Sequence, residues 1–325
     1  MYTFTSIKII SKTSHYFNNF IQKKCKPTPI SLIDMLRHAI NETQSQCKPS
    51  TRKNKVTAVN TLQQFLREKE HVFGPITIDN FTPDVLKAFE RWALDEGLKP
   101  NYVALHMRCL RSLINRINRR GNELFKHVRT TNYQTEKRAV SEETIKHIRE
   151  LKLTDNANLT MARDIFLFCF YGMGIPLIDA VMFKKSQLHD GHLIYNRSKT
   201  KRMVKVPVCD ELLQLIERLS PANSPYLLPV ITDDRANIMR QYKIFYQRYR
   251  RSLAKIEKLI GPDCHLTSYT PRHSWASIAY KQGISINEIA QALGHSNANI
   301  TYHYVMELSC SQLAIANNKV LRAVQ

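Results

Sequence analysis

Three residues near the end of the chain have the types and spacing to act together on a phosphodiester. Arg272, His295 and Tyr304 follow one another at separations of 23 and 9 residues. A guanidinium can hold two phosphate oxygens at once, an imidazole can add a hydrogen bond, and a phenol oxygen can be the nucleophile. Attack by a tyrosine keeps the bond energy in a phosphotyrosine link, so rejoining needs neither ATP nor metal. The sequence therefore predicts strand cleavage and rejoining with no cofactor and no metal site.

A lysine in a basic turn supplies a further candidate. Lys199 stands in Asn-Arg-Ser-Lys-Thr-Lys-Arg, between two β-rich runs. A flexible ammonium that reaches a leaving 5′ oxygen is a suitable general acid. Lys201 and Lys205 are alternatives within the same region, and so is a solvated turn that only touches backbone phosphates.

The residues around these candidates predict a mainly helical domain with one β-hairpin. A helix begins at Ser141, and the apolar run from Met161 to Tyr171 forms another that ends in a glycine-containing turn. The runs on either side of Lys199 predict the hairpin. Further helices are predicted near Pro176 and over residues 210–219, 234–260, 274–282 and 286–293.

The preceding part of the chain divides into three predicted regions. Residues 1–28 read as a basic arm, residues 29–122 as a small all-helical domain, and residues 123–140 as a linker to the domain over 141–325. Within the helical domain, Ser31 and Thr82 are predicted to cap helices, and further helices cover residues 52–70 and 101–120.

Basic side chains of the helical domain predict contact with a DNA backbone. The helix over 101–120 places apolar residues on one side and arginines on much of the other, and no acidic residue lies between Arg108 and Arg120. A solvated basic face is the competing interpretation. The predicted DNA-binding residues are Arg52, Lys53, Lys55, Arg108, Arg111, Arg116 and Arg119.

The composition narrows the class of partner. Lys and Arg number 48 against 27 Asp and Glu, which gives a net charge of +21 and a pI near 9.7. This excess suits a phosphate backbone, although an anionic membrane surface would also accept it. Seven dispersed cysteines without a Cys-x-x-Cys pair argue against a disulfide framework and a zinc site. With no signal-peptide pattern and no run of about 18 apolar residues, we expect a cytoplasmic, nucleoid-associated protein.

The segment from Arg272 through Leu-Gly-His to Tyr304 closely resembles the second motif box of the tyrosine recombinase (phage integrase) family. The chain looks most similar to conjugative-transposon integrases and invertases, and the likeness in layout extends over residues 30–325. It implies a mainly α fold, with a helical, SAM-like DNA-binding domain and a mostly helical catalytic domain that contains a small antiparallel β-sheet. It also implies that Tyr304, nine residues after His295, attacks DNA, while Arg272 and His295 hold the developing charge. Family hairpins carry the catalytic lysine just before a threonine or glycine, which favours Lys199.

The chain departs from the family pattern at two positions. Met173 stands where the family's first arginine belongs in this branch, and Pro176 stands where the wider family puts it; neither side chain can donate a hydrogen bond. Tyr269 replaces the histidine of the His-x-x-Arg box and can still donate one. Some conjugative-transposon integrases also lack the first arginine.

A relocated arginine is the predicted compensation. Arg197 and Lys199 are two residues apart and so point to the same face of a strand. We therefore favour Arg197 as the substitute, with Arg202 and Arg163 as other candidates. Asp179 matches a family aspartate with a supporting role, and no chemistry is assigned to it.

The sequence thus predicts a site-specific DNA recombinase, an integrase or an invertase, that works through a 3′-phosphotyrosine intermediate. The expected partners are double-stranded DNA with specific recombination sites, three further copies of the chain in a homotetramer, and accessory DNA-bending factors. The segment after Tyr304, residues 311–321, is the candidate for exchange between protomers. Two alternatives stay open: a catalytically silent DNA-binding member of the family, and a relaxing enzyme like the type IB topoisomerases.

Overall fold

The structure, a computed structural model, describes residues 30–43, 45–133, 138–153, 156–262, 264–295, 297–303, 317 and 321–322. The chain divides into two compact units, residues 1–135 and 136–325. Three predictions fall on other residues. The basic arm over 1–28, the nucleophile Tyr304 and most of the exchange segment over 311–321 lie outside the described residues.

The first unit is helical throughout its described part. Its helices are α1 (Leu32–Glu42), α2 (Pro49–Glu68), α3 (Glu70–Phe73), α4 (Pro83–Asp95), α5 (Pro100–Asn118) and α6 (Gly121–Leu124). The side chain of Ser31 accepts a hydrogen bond from the Asp34 amide at the start of α1. The side chain of Thr82 accepts a hydrogen bond from the Val85 amide at the start of α4. Both predicted caps are therefore present, and each satisfies an amide that the helix leaves unpaired.

Aromatic side chains from α2 and α4 form the centre of the first core. The ring of Phe65 lies 5.5 Å from that of Phe89 and 5.6 Å from that of Trp92, measured between centroids. The apolar face of α5 packs against the same core. Three residues of the predicted linker are buried there as well, namely Leu124, Phe125 and Val128. The packed part of this unit thus continues beyond residue 122.

In the second unit, other helices and a hairpin pack around a central apolar helix. Its helices are α7 (Glu142–Glu150), α8 (Ala157–Tyr171), α9 (Leu177–Ala180), α10 (Asp210–Leu219), α11 (Ile238–Ile260), α12 (Thr270–Lys281) and α13 (Ile286–Ala292), with 3₁₀ segments at Lys185–Gln187 and Ala298–His303. Helix α8 is apolar on almost all sides and contacts α10, α11 and α12. A helix of this composition is stable only when it is enclosed.

Three short strands make one antiparallel sheet. The strands are β1 (Leu188–His189), β2 (His192–Asn196) and β3 (Met203–Pro207), in the order β1-β2-β3, with Asn196 opposite Met203. The amide of Arg197 donates to the carbonyl of Arg202 at 2.8 Å, and the amide of Lys201 donates to the carbonyl of Arg197 at 2.8 Å. These bonds define a tight turn over residues 198–201, the basic turn of the predicted hairpin.

The mainly α fold with a small antiparallel sheet is confirmed, and the differences concern element ends. Helix α11 begins at Ile238 rather than at 234, because the side chain of Asn237 accepts from the Arg240 amide and caps it there. Helix α12 begins at Thr270, four residues before the predicted start, because Pro271 in the first turn needs no amide partner. Strand β1 was not predicted, since two residues carry no periodicity. Among the described residues, no helix has the length and apolar character needed to span a bilayer.

Candidate active site

Arg272 joins three segments of the second unit. It is buried in the first turn of α12, where Nη1 donates to the carbonyl of Gly174 at 2.8 Å and Nη2 donates to that of Leu293 at 2.6 Å. Gly174 belongs to the turn after α8 and has a φ of +72°. A Cβ at this glycine would lie 2.9 Å from the Cα of Arg272, so the turn packs directly against α12. The guanidinium is thereby held before any substrate arrives.

His295 lies against Arg272 and is neutral. Nη2 of Arg272 is 2.9 Å from Nε2 of His295, and Nδ1 of His295 is 2.9 Å from Oγ1 of Thr301. Burial lowers the pKa of the His295 imidazole to about 3, and the positive charges of Arg272, Arg197 and Lys199 act in the same direction. A guanidinium has only donors, so Nε2 of the neutral ring accepts from Arg272 and the proton resides on Nδ1.

The hairpin turn is bonded to the turn that carries His295. Nη1 of Arg197 and Oγ1 of Thr200 donate to the carbonyl of Gly294 at 3.2 and 3.1 Å, and Nη1 of Arg202 donates to the carbonyl of His295 at 2.7 Å. Gly294 has a φ of +62°, and a Cβ there would lie 2.7 Å from Cγ2 of Val204. The glycine of the Leu-Gly-His tripeptide is therefore required by the close approach of the hairpin.

Lys199 is exposed at the tip of this turn and close enough to His295 for its charge to affect that imidazole. The preceding residue is anchored: both the amide and Oγ of Ser198 donate to Oδ1 of the buried Asp179, the amide at 3.1 Å. Asp179 thus fixes the backbone next to Lys199, which gives the family-like aspartate a positioning role.

Arg197 lies in the same cluster of side chains as Arg272 and His295. Its residue surface is only 4% exposed, and its Nε has no hydrogen-bond partner among the described residues. Met173, where the family arginine is missing, has a φ of 57° in the turn that binds Arg272. Arg163 is instead bonded to the Leu151 carbonyl and paired with Asp164, so its contacts do not connect it to the site. Arg197 and Arg202 both donate to carbonyls of the His295 turn, and of these two only Arg197 is buried.

Tyr269 and Tyr304 are the remaining predicted site residues. Tyr269 caps the start of α12 and is 42% exposed, with its ring centroid 6.4 Å from that of His273. Its exposed side chain stands three residues before Arg272 in the sequence. Tyr304 follows the last described residue of the segment Ala298–His303, and its own position lies outside the described residues.

The predicted DNA-binding residues of the first unit differ in availability. Nη1 of Arg108 donates to the carbonyl of Thr130 at 2.6 Å, and Nη1 of Arg111 donates to Oγ1 of Thr130 at 3.2 Å. Lys53 and Arg119 are exposed. Arg52 is half-buried and its Nη2 is 3.4 Å from Oδ1 of Asn41.

One part of that prediction requires correction, and a second predicted residue has a partner that was not predicted. Lys55 is 8% exposed and its Nζ lies 3.7 Å from Sγ of Cys47, so it is a buried residue rather than a surface contact. Arg116 pairs with Glu42 at 3.3 Å. Glu42 comes from a different helix, so a lack of acidic residues within the helix of Arg116 does not leave this arginine without a carboxylate partner.

A basic surface on α11 was not predicted. One acidic residue, Glu257, stands in this 23-residue helix. Burial raises the pKa of Tyr242, in the first part of α11, to about 12, and Tyr246 and Tyr269 act in the same direction. The imbalance of charge within residues 238–260 is the sequence signal that could have revealed it. The exposed basic residues of α11 are Arg240, Lys243, Arg248, Arg250, Arg251, Lys255 and Lys258.

The described cluster has the charge distribution that a phosphoryl-transfer site needs. Two guanidinium groups and one ammonium stand around a neutral imidazole, on turns that are bonded to one another. Fixed positive groups of this kind stabilise the negative charge that develops on phosphate oxygens in a transition state.

Two family models match the chain. The phage integrase family matches residues 143–309, about half of the chain, and the phage integrase SAM-like domain matches residues 31–122. A curated relative, tyrosine recombinase XerC of Rickettsia canadensis (strain McKiel), is 23% identical over 50% of this chain and 52% of its own length. The chain therefore spans about half the length of this relative.

Solved structures share the fold. The Tn1549 transposon integrase in complex with transposon right end DNA covers 90% of this chain and 100% of its own, with a TM-score of 0.63 and 13% identity. A lambda integrase tetramer bound to a Holliday junction covers 93% of this chain and 89% of its own, with a TM-score of 0.60 and 14% identity. Taken with the match over residues 143–309, these likenesses lead to one conclusion: the chain belongs to the phage integrase family.

Proposed function

We propose that this chain is a site-specific DNA recombinase that cleaves and rejoins DNA through a 3′-phosphotyrosine intermediate, as an integrase or an invertase. The observation that carries the proposal is the assembly of Arg272, Arg197, His295 and Lys199 around two bonded turns. These residues come from places far apart in the sequence, and their shared chemistry is the recognition of a phosphate.

In the proposed reaction, Tyr304 attacks the scissile phosphate and Lys199 protonates the leaving 5′ oxygen. The phosphorus–oxygen bond to the 5′ oxygen breaks as the bond to the tyrosine oxygen forms, so no energy source is required. Arg272 holds two non-bridging oxygens with its fork of donors. Rejoining is the same step in reverse, with a 5′ hydroxyl as the attacking group.

Arg197 takes the part of the arginine that Met173 cannot supply. Three observations support this role: the side chain is buried, its Nε has no partner within the described residues, and it is bonded to the turn of His295. A donor that lacks a partner in the absence of DNA can meet a phosphate oxygen without breaking an existing bond. Tyr269, exposed beside Arg272, would give one hydrogen bond to the same phosphate.

Double-stranded DNA is the proposed partner. The net charge of +21, the exposed Lys53 and Arg119, and the basic surface of α11 support binding to its backbone. The lambda integrase relative is a tetramer on a Holliday junction, and we propose a homotetramer on two recombination sites for this chain. We also propose that accessory DNA-bending factors assist the reaction and that the chain associates with the nucleoid.

A trapped covalent adduct is the test. The substrates are duplexes that carry the repeats or junctions flanking the gene, each nicked so that the short product diffuses away after cleavage. We expect an adduct on one of these duplexes that survives denaturation and disappears in Tyr304→Phe. Tyr302→Phe is the matched control, because Tyr302 is an exposed tyrosine two residues earlier and should leave the adduct unchanged.

The silent DNA-binding member is the second candidate, and Met173 is the observation that favours it. Specific binding to a flanking duplex without any adduct would support this candidate and contradict the recombinase. Relaxation of a supercoiled plasmid that lacks flanking sequences would instead indicate an enzyme like the type IB topoisomerases.

A further inference from the structure

A buried threonine connects His295 to the segment that leads to Tyr304. Thr301 is 0% exposed and belongs to the 3₁₀ segment Ala298–His303, which ends immediately before the expected nucleophile. Its Oγ1 is 2.9 Å from Nδ1 of His295. The bond joins two buried side chains, so water does not replace it readily when it is lost.

The direction of the hydrogen bond between His295 and Thr301 follows from the contact that the other ring nitrogen of His295 makes. Arg272 can only donate, so Nε2 of His295 is the acceptor and Nδ1 carries the proton. Nδ1 therefore donates to Thr301, and the hydroxyl oxygen is the acceptor. If Nδ1 lost this partner, the proton could move to Nε2, where it would oppose the donors of Arg272.

We propose that Thr301 is a positioning residue for the recombination reaction: its hydroxyl fixes the His295 tautomer that Arg272 requires and sets the distance between Arg272 and the segment that carries Tyr304. The role of the hydroxyl rests on the proposed function, because it matters only if Tyr304 must meet a phosphate held by Arg272. Thr301 takes no direct part in the proposed bond-making step. It acts through His295.

The decisive variant is Thr301→Val, which has nearly the same shape and lacks the hydroxyl. Thr301→Ser keeps the hydroxyl and loses a methyl group. Ser277→Ala is the matched control, because Ser277 is also buried in the second unit and its Oγ has no hydrogen-bond partner among the described residues. It removes a buried hydroxyl without removing the bond to His295.

Single-turnover cleavage of the nicked duplex and DNA affinity are measured on the full chain. An unsatisfied buried donor lowers the rate by about 10- to 100-fold, so we expect this loss in Thr301→Val with an unchanged dissociation constant for DNA. Thr301→Ser should recover most of the rate, and Ser277→Ala should keep the wild-type rate. A Thr301→Val protein that cleaves at the wild-type rate, or a loss shared equally by Ser277→Ala, overturns the proposal.

A second measurement does not depend on activity. Nuclear magnetic resonance of ¹⁵N-labelled histidine shows which ring nitrogen carries the proton, and the His295 signals are identified by their absence in His295→Gln. We expect the proton on Nδ1 in wild type and Thr301→Ser, and an increased share on Nε2 in Thr301→Val. If no variant, wild type included, forms an adduct while this tautomer pattern is found, then the recombinase proposal fails and the role of Thr301 in orienting His295 stands. An unchanged tautomer in Thr301→Val overturns that role even where cleavage is active.

Discussion

The arginines around the His295 turn in the second unit and the lysines of helix α2 in the first unit are held in different ways. In the second unit, Arg272, Arg197 and Arg202 donate to main-chain carbonyls of adjoining turns, and these bonds fix each guanidinium beside the others. In the first unit, Lys55 is buried against Cys47, while Lys53 extends from the same helix into solvent.

The difference separates two uses of positive charge. A group that stabilises a transition state gains from being fixed in advance, because no reorganisation is then needed during the reaction. A group that neutralises a DNA backbone works through counterion release and tolerates a mobile side chain. The bonding of each residue in the structure therefore indicates which use it suits, and substitutions can test that assignment.

The largest expected effect is at Arg272. Loss of a transition-state arginine in phosphoryl transfer lowers the rate by roughly 10³–10⁵, so Arg272→Ala should abolish detectable adduct in a single-turnover assay on the nicked duplex. Arg272→Lys keeps the charge and loses the fork, and should also be strongly impaired. A thermal melt of each variant checks the fold, since the carbonyls of Gly174 and Leu293 lose their donor. A rate within tenfold of wild type for the folded alanine variant would contradict the proposed role.

Arg197 is expected to come next. Removing one preorganised donor lowers the rate by about 10²–10³, and we expect this for Arg197→Ala under the same single-turnover conditions. Arg149→Ala is the control, because Arg149 belongs to the same unit and pairs with the exposed Glu150 at 3.0 Å. Equal rates for the two variants would remove Arg197 as the replacement for the arginine missing at Met173.

Two buried histidines make stability depend on pH. Burial lowers the pKa of His106 in the first unit and, to about 3, that of His295 in the second. Since an unfolded histidine takes up its proton near pH 6.5, the stability that each neutral histidine contributes is fully present above that pH and is lost as the pH falls below it. For His295 the loss continues until the pH reaches about 3. The loss is at most about 1.4 kcal/mol per pH unit for each histidine.

The two histidines should respond differently to substitution. Neither ring nitrogen of His106 has a partner within the described residues, whereas His295 is bonded through both. His106→Leu should therefore raise the free energy of unfolding by about 1 kcal/mol at pH 7 and by more at pH 5. His295→Gln should lower it at pH 7. Denaturant titrations at both pH values measure this, and a destabilised His106→Leu protein would show that the imidazole makes a contribution the contacts do not reveal.

The smallest effect concerns two lysines of α2. Lys53 is exposed and Lys55 is buried, although they are two residues apart. Each phosphate contact changes the slope of log affinity against log salt by about 0.9, so Lys53→Ala should reduce the slope by that amount. Lys55→Met should leave the slope unchanged. Fluorescence binding titrations at several salt concentrations measure both slopes. A reduced slope for Lys55→Met would show that Lys55 contacts DNA, as the sequence predicted.

Residue type and spacing were sufficient to predict several local features of the fold and the family resemblance. Ser31 and Thr82 were recognised as caps because capping is local, and the hairpin around Lys199 was recognised from two β-rich runs. The tripeptide that includes His295 gave the family resemblance. In these cases the physical cause lies within a few residues of the pattern.

Contacts between distant segments could not be predicted from the sequence. The pairing of Arg116 with Glu42 joins two helices, and the burial of Lys55 depends on the position of Cys47. The tautomer of His295 depends on both Arg272 and Thr301, which only the folded chain brings together. The basic surface of α11 differs from these examples, because it could have been found by counting charges along the helix.

The acceptors in the joint between the hairpin and the His295 turn are main-chain carbonyls of residues 294 and 295. A carbonyl is present whatever side chain a residue carries, so the arginines and threonine of the hairpin place no demand on the chemical identity of a partner side chain. Paired changes across relatives would therefore not disclose this joint, even in a deep alignment. The steric requirement at Gly294 would be seen only as an invariant glycine, with no second position varying alongside it. For this family, contact maps inferred from covariation should be weakest where the catalytic turns are held together.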